Sequence, residues 1–129
     1  MFNWFKKRPG PGPDFSHVDS REKVEELHKQ GQLEKLYLMP LEFGGVDFPA
    51  NVVYVPPGIT DIKEGIDKNV IAPLVANGTI RHYSATPEYE GKSFVPIAIN
   101  VKASDPGNFS TSIQVWGSAL QRGPLSNNT

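Results

Sequence analysis

Cysteine is absent from all 129 positions of the sequence. Its absence excludes disulfide bonds, thiolate zinc sites, iron–sulfur clusters and cysteine nucleophiles, and it fits a reducing compartment. A chain of this length is in the range of a single domain, which buries enough surface to fold without a disulfide or a metal. No cofactor is therefore expected.

The sequence also lacks an excess of charge of either sign, since 13 basic and 14 acidic residues give a formal net charge of −1. Nucleic-acid binding, which relies on a basic face, is not expected. No apolar run approaches the roughly 20 residues that span a bilayer. Near the N-terminus the aromatic residues precede the basic ones, the reverse of a signal peptide. We therefore expect a cytoplasmic protein without a transmembrane segment.

Proline and glycine alternate over residues 9–13, a pattern that sustains neither a helix nor a strand. It predicts that residues 1–18 form a flexible peptide and linker. Residues 19–117 form the single predicted domain. Residues 118–129 are polar and predicted to be a frayed tail.

Two helices are predicted from capping and periodicity. Asp19 and Glu22 have the spacing of a capping box at the start of the first helix, and Gly31 ends it. The second begins near Thr60 and is kinked or ended by Pro73. Its predicted core-facing stripe comprises Ile59, Ile62, Ile66 and Val70, and its solvated face comprises Asp61, Lys63, Glu64, Asp67 and Lys68.

Five strands are predicted, at residues 33–41, 51–55, 79–85, 93–103 and 109–116. Within residues 93–103, every second residue from Val95 to Val101 is a branched apolar residue, and the residues between them form the other face. This alternation is typical of a strand. Residues 105–108 have strong turn chemistry. The prediction is an α+β fold with a mostly antiparallel sheet of about five strands and two helices, in the order α-β-β-α-β-β-β.

No catalytic residue is assigned from the sequence. The three histidines lack a second histidine at helical metal-site spacing, so no metal site is predicted. His82 and Ser84 share one face of a predicted strand and, with a carboxylate such as Asp47, define an alternative: a small hydrolase or ligand-binding enzyme. No Gly-x-Ser-x-Gly elbow is present to expose the serine, which counts against this alternative.

Aromatic residues near loops and strand ends favour partner recognition, because rings supply contact area at little entropic cost. The candidate contact residues are Phe43, Phe48, Tyr83, Tyr89, Phe94 and Trp116. Tyr89 is the ring for which exposure is most expected. The leading interpretation is a non-enzymatic protein-binding module. A self-associating domain that dimerises through a sheet edge or through the Phe94 side is a further alternative.

Two stretches carry a resemblance: residues 38–45 running into 51–58, and residues 83–89 running to Trp116 and Gly117. Over residues 22–117 the chain resembles small bacterial proteins that look like the immunity proteins of polymorphic toxin systems. The resemblance implies a cytoplasmic role in which the protein binds another protein, a cognate toxin, and neutralises it. It implies no catalytic residue.

Overall fold

The computed structural model describes residues 13–122. The helices are α1 (Arg21–Lys29), α2 (Ile59–Ile66) and α3 (Ala72–Ala76), and the strands are β1 (Glu34–Tyr37), β2 (Val52–Val55), β3 (His82–Glu88), β4 (Ala98–Ser104) and β5 (Asn108–Gln114). A π-helical turn (Asp67–Ile71) joins α2 to α3, so these three elements form one helical segment. Short 3₁₀ turns precede β2 and follow β5.

The α+β class and the five antiparallel strands are confirmed. The predicted arrangement differs in detail, because the strands form two sheets, β1-β2 and β3-β4-β5, instead of one. A single hydrophobic core includes residues of both sheets and of α1. The two sheets and the helices therefore form one packed unit over the described residues.

The central strand β4 shows the predicted alternation. Ile99 and Val101 are buried, whereas Lys102 is exposed. The strand begins at Ala98 and not at residue 93, because the preceding residues pair with the chain before α1. The Phe94 N–H donates to the Val18 carbonyl at 2.7 Å, and the Ser93 hydroxyl donates to the Phe15 carbonyl at 2.8 Å.

The N-cap of helix α1 is Ser20, one residue after the predicted N-cap Asp19. The Ser20 side chain accepts a hydrogen bond from the Lys23 N–H, while Asp19 forms an ion pair with the Lys23 ammonium group at 2.8 Å. Serine is a strong N-cap because its oxygen satisfies a free amide of the first turn. Gly31 follows the helix at a φ of 77°, as predicted, in the left-handed region that glycine adopts without strain.

The predicted faces of the second helix are wrong at three positions. Ile62 is exposed, whereas Lys63 and Asp67 are buried. The physical reason is that Lys63 and Asp67 satisfy each other and Tyr83 across the helix–sheet contact, so this side of α2 faces inward. Pro73 does not end the segment, which passes through the π-helical turn and continues to Ala76.

Both ends of the described chain are packed against the domain. Val18 is buried, and Phe15 packs edge-on against Trp116 at 5.9 Å between ring centroids. Residues 117–121, which include the start of the predicted tail at residue 118, form a 3₁₀ turn with Ala119 buried. The rest of that tail and most of the predicted N-terminal peptide, residues 123–129 and 1–12, lie outside the described residues. Between residues 13 and 122, no helix has the length and apolarity needed to cross a membrane.

Candidate functional site

A groove of about 260 Å³ lies beside β2, and we call it the aromatic groove. Its lining residues are Arg21, Val24 and Glu25 from α1, Lys35 from β1, Val52, Val53 and Tyr54 from β2, and Tyr89 and Phe94 from the loop between β3 and β4. Asp47 and Pro49, which precede β2, complete the lining. Four separate parts of the chain therefore meet around one surface depression.

Two of the predicted contact residues line this groove, and a third lies next to lining residues in the sequence. Phe94 is 49% exposed, Tyr89 47% and Phe48 60%. Tyr89 and Phe94 line it directly, and Phe48 lies between the lining residues Asp47 and Pro49. Clustered, solvated aromatic rings of this kind mark interaction sites, whereas single exposed apolar residues are ordinary.

The other three predicted contact residues are placed differently. Trp116 is only 2% exposed, and its indole N–H donates to the Val95 carbonyl at 2.9 Å. The prediction for Trp116 is thus corrected: the ring belongs to the core and cannot meet a partner. Phe43 and Tyr83 are half-buried and pack edge-to-face at 5.6 Å, away from the aromatic groove.

The loop that carries Phe48 is held by Asn51. Its side-chain oxygen accepts from the Met39 N–H at 2.7 Å, and its amide donates to the carbonyls of Met39 and Val46, both at 3.0 Å. Gly45 lies so close to the Met39 carbonyl that a Cβ there would overlap it. One side chain and one glycine thus determine the path of the loop toward the groove.

The charges at the groove are balanced. Lys35 and Asp47 pair at 3.3 Å, and the hydrogen bond from Lys35 to Asp47 raises the pKa of Lys35. Arg21 and Glu25 from α1 add one charge of each sign. Burial raises the pKa of Tyr89, so this phenol stays neutral at physiological pH. The surface thus suits a largely uncharged partner.

A second candidate, the Lys63 cluster, consists of Lys63, Asp67 and Tyr83. The Lys63 and Asp67 side chains are 3% and 7% exposed and pair at 2.6 Å. Lys63 also donates to the Tyr83 hydroxyl at 2.9 Å, and that hydroxyl donates to Asp67 at 2.7 Å. Each polar group therefore has a partner, as burial requires.

The environment of the Lys63 cluster shifts two pKa values. Burial lowers the pKa of Lys63, against the opposing effect of its bond to Asp67. Burial, followed by the bond to Asp67, raises the pKa of Tyr83. Lys63 and Asp67 also line a cavity of about 200 Å³ between β1 and α2. Such perturbed groups occur at functional sites and also in purely structural networks.

Sequence reasoning missed the Lys63 cluster, because charged residues on a helix usually face water. A sequence signal for the buried pair was nevertheless present. Lys63 and Asp67 are four residues apart, the spacing at which helical side chains meet. The position of Tyr83, on a strand that follows the helix, is not encoded in that spacing.

The residues of the hydrolase alternative are on an open sheet surface. The His82 side chain is 71% exposed and lies 3.1 Å from the Asp105 carboxylate, and Ser84 is also exposed. Neither residue lines the aromatic groove or the cavity beside Lys63. The geometry gives Ser84 no enclosed site in which a nucleophile and an oxyanion could be sheltered from water.

Within residues 13–122, no three or more histidine, aspartate or glutamate side chains are grouped so as to hold a metal ion. Comparison with family models, curated proteins and solved structures finds no match to the chain. The aromatic groove and the Lys63 cluster are therefore the two features of the described residues that bear on function.

Proposed function

We propose that the protein is a non-enzymatic module that binds another protein through the aromatic groove. The observation that carries this proposal is the pair of half-exposed rings, Tyr89 and Phe94, lining one depression beside β2. Aromatic anchors in a partly enclosed surface supply much of the energy of protein interfaces. The neutral charge balance of the groove favours contact through apolar area.

In its sharper form, the proposal is that the protein acts in the cytoplasm and neutralises a bacterial toxin. The resemblance of residues 22–117 to immunity proteins supports this form. An inhibitor needs a surface that its partner covers and no reaction chemistry of its own. The aromatic groove meets this requirement, since its lining residues include exposed rings and no histidine.

The test is capture of a partner by the full chain and by two matched variants. Tyr89→Ala with Phe94→Ala removes the rings at the groove, and Ile62→Ala with Val75→Ala removes exposed apolar side chains elsewhere. We expect the first variant to bind at least about 30-fold more weakly, because the loss of even one interface anchor costs about 2 kcal/mol or more. The second variant should bind like the unchanged chain.

For the toxin form, the chain is co-expressed with a toxin encoded beside it. Growth should be rescued by the unchanged chain and by the Ile62/Val75 variant, but not by the Tyr89/Phe94 variant. Melting temperatures of all three must be compared first, so that loss of rescue reports on the surface and not on folding. Equal binding and rescue by both variants would place the contact elsewhere and contradict the proposal.

A further inference from the structure

On the outer edge of β2 the backbone N–H and C=O of Tyr54 are free within the described residues, whereas the Val52 N–H donates to the Pro49 carbonyl and Pro56 has no N–H. The Leu38 N–H donates to the Asn51 carbonyl, and Leu36 opposite Val53 is two residues further along the same register. In an antiparallel pair, directly bonded positions alternate with unbonded ones. Tyr54 is therefore at an unbonded position, where its N–H and C=O point away from β1. Neither group bonds to any residue in the described part of the chain.

The aromatic groove runs along this edge. It is lined by Val52, Val53 and Tyr54, three residues in succession. Successive side chains of a strand point to opposite faces of the sheet, so a depression that touches all three reaches the edge of the strand. It also extends over one face as far as Lys35 of β1, which lies opposite Tyr54. The free groups of Tyr54 and the rings of Tyr89 and Phe94 thus belong to one surface.

The other sheet edges differ from that of β2. At β1, α2 lies alongside, and the Thr60 hydroxyl donates to the outward carbonyl of Lys35 at 3.4 Å. The three-stranded sheet ends in β3 and β5, and no residue of either strand lines the aromatic groove or the cavity beside Lys63. The outer face of β5 carries polar residues such as Ser110 and Gln114.

We propose that an extended segment of a partner protein adds to β2 as a third strand of the β1-β2 sheet. The inference rests on the proposed function and specifies how the partner binds. The segment exchanges backbone hydrogen bonds with Tyr54 and places an apolar side chain between Tyr89 and Phe94. Backbone bonds supply affinity in such complexes, and pockets for alternate side chains supply specificity.

The structure also defines the chemistry of the segment. Its residues that meet Tyr89, Phe94 and Val52 are apolar, because these three groove residues present rings and a branched apolar side chain. Its net charge is small, because Arg21 and Glu25 offset each other and Lys35 is already paired with Asp47. A two-stranded sheet is marginal by itself, so a third strand also strengthens the β1-β2 unit.

The probe is a library of short random peptides displayed on phage and selected against the full-length chain. For each selected peptide, amide hydrogen exchange is measured by NMR with and without the peptide. We expect exchange at Tyr54 to slow about tenfold or more, because its N–H becomes bonded. Exchange at Val53, whose amide already bonds within the sheet, provides the internal control. The selected sequences should alternate apolar and polar residues.

Several outcomes would overturn the strand-addition proposal. Selected peptides that need Tyr89 and Phe94 but leave Tyr54 exchange unchanged would show that the groove binds partners without strand addition, and the proposed function would survive. Peptides whose binding is unchanged by Tyr89→Ala and Phe94→Ala would contradict both the strand-addition proposal and the proposed function. Failure to select any peptide would also contradict both. Protection of Tyr54 in the free chain would show an edge already filled. Light scattering then distinguishes a dimer formed through β2 from a monomer.

Discussion

Lys63 is a buried ammonium group whose partners are supplied by its own helix and by β3. Removing a charge from water costs several kcal/mol, and this cost is offset only when partners have good geometry. Here the Asp67 carboxylate lies at 2.6 Å and the Tyr83 hydroxyl at 2.9 Å. The cluster is thus highly sensitive to the loss of one member, even where its net contribution to stability is small.

We predict that Asp67→Ala lowers the free energy of unfolding by about 3–5 kcal/mol, because it leaves the Lys63 charge buried without a counter-ion. Urea unfolding measures the change. Asp19→Ala is the matched control, since Asp19 and Lys23 have the same four-residue spacing in an exposed pair. The control should alter stability little, because water screens exposed pairs.

A second variant tests whether the unpaired Lys63 charge causes the loss of stability in Asp67→Ala. Replacing the three polar groups together, by Lys63→Met, Asp67→Leu and Tyr83→Phe, leaves no unpaired charge or hydroxyl. Buried ion pairs replaced by apolar residues of similar volume commonly lose little stability. We expect this triple variant to be clearly more stable than Asp67→Ala. If it were equally unstable, the loss would come from packing and not from an orphaned charge.

Among the local elements, the loop before β2 depends on a single side chain. Asn51 makes three hydrogen bonds that close the loop from Met39 to Val46. Its amide is suited to this role because it donates and accepts at once. The loop in turn places Asp47 and Pro49, the neighbours of the exposed Phe48, at the aromatic groove.

Asn51→Ala should lower the free energy of unfolding by about 2 kcal/mol, since each protein hydrogen bond contributes about 1 kcal/mol net and not all three are fully buried. Amide exchange at Met39 should become faster, because its N–H loses its acceptor. Asn69→Ala is the control, as Asn69 is exposed and makes no side-chain hydrogen bond within residues 13–122. Unchanged exchange at Met39 would show that the loop is held by other contacts.

The elements also show what the sequence could predict. Strand alternation placed Ile99 and Val101 in the core correctly, because the period of a strand is a local property. The stripe of α2 was misassigned at Ile62, because the inward face of that helix depends on Tyr83, a residue far along the chain. Local periodicity contains no information about such a partner.

The difference between local and tertiary information also explains how much of the candidate site the sequence could predict. Exposure of Tyr89, Phe94 and Phe48 agrees with the aromatic-loop hypothesis, but the groove arises from four segments that only the fold brings together. Trp116 follows the same sequence pattern and is nevertheless buried, because Phe15 and Val95 surround it from distant positions. Residue type predicted that aromatic rings would form a contact surface, but tertiary contacts determine which of these rings are exposed.

At the scale of the whole molecule, an ion pair fastens the end of the described chain to the larger sheet. The Arg122 guanidinium donates two hydrogen bonds to the Glu88 carboxylate, at 3.0 and 2.6 Å. Next to it, Glu90 accepts from the Ser118 hydroxyl at 2.6 Å. These contacts hold the 3₁₀ turn of residues 117–121 on β3, which keeps Ala119 in the core.

This pairing makes stability depend on pH. The Arg122 hydrogen bond, with a smaller effect from Asn100, lowers the pKa of Glu88 below its ordinary value of 4.5. The folded state therefore binds the Glu88 proton less readily than the unfolded state does. The stabilisation is complete above the ordinary pKa and is lost as the pH falls through the lowered one.

We accordingly predict that Arg122→Gln destabilises the protein near neutral pH by less than about 1 kcal/mol, because the pair is partly exposed and screened by water. Unfolding in urea should show the difference from the unchanged chain shrinking at acidic pH, where Glu88 is protonated, and in high salt. Arg81→Gln removes the same charge from an exposed residue that forms no ion pair within residues 13–122, and it should show no such pH dependence. A deficit of Arg122→Gln that persisted unchanged in acid would mean that the arginine acts through packing of its stem and not through Glu88.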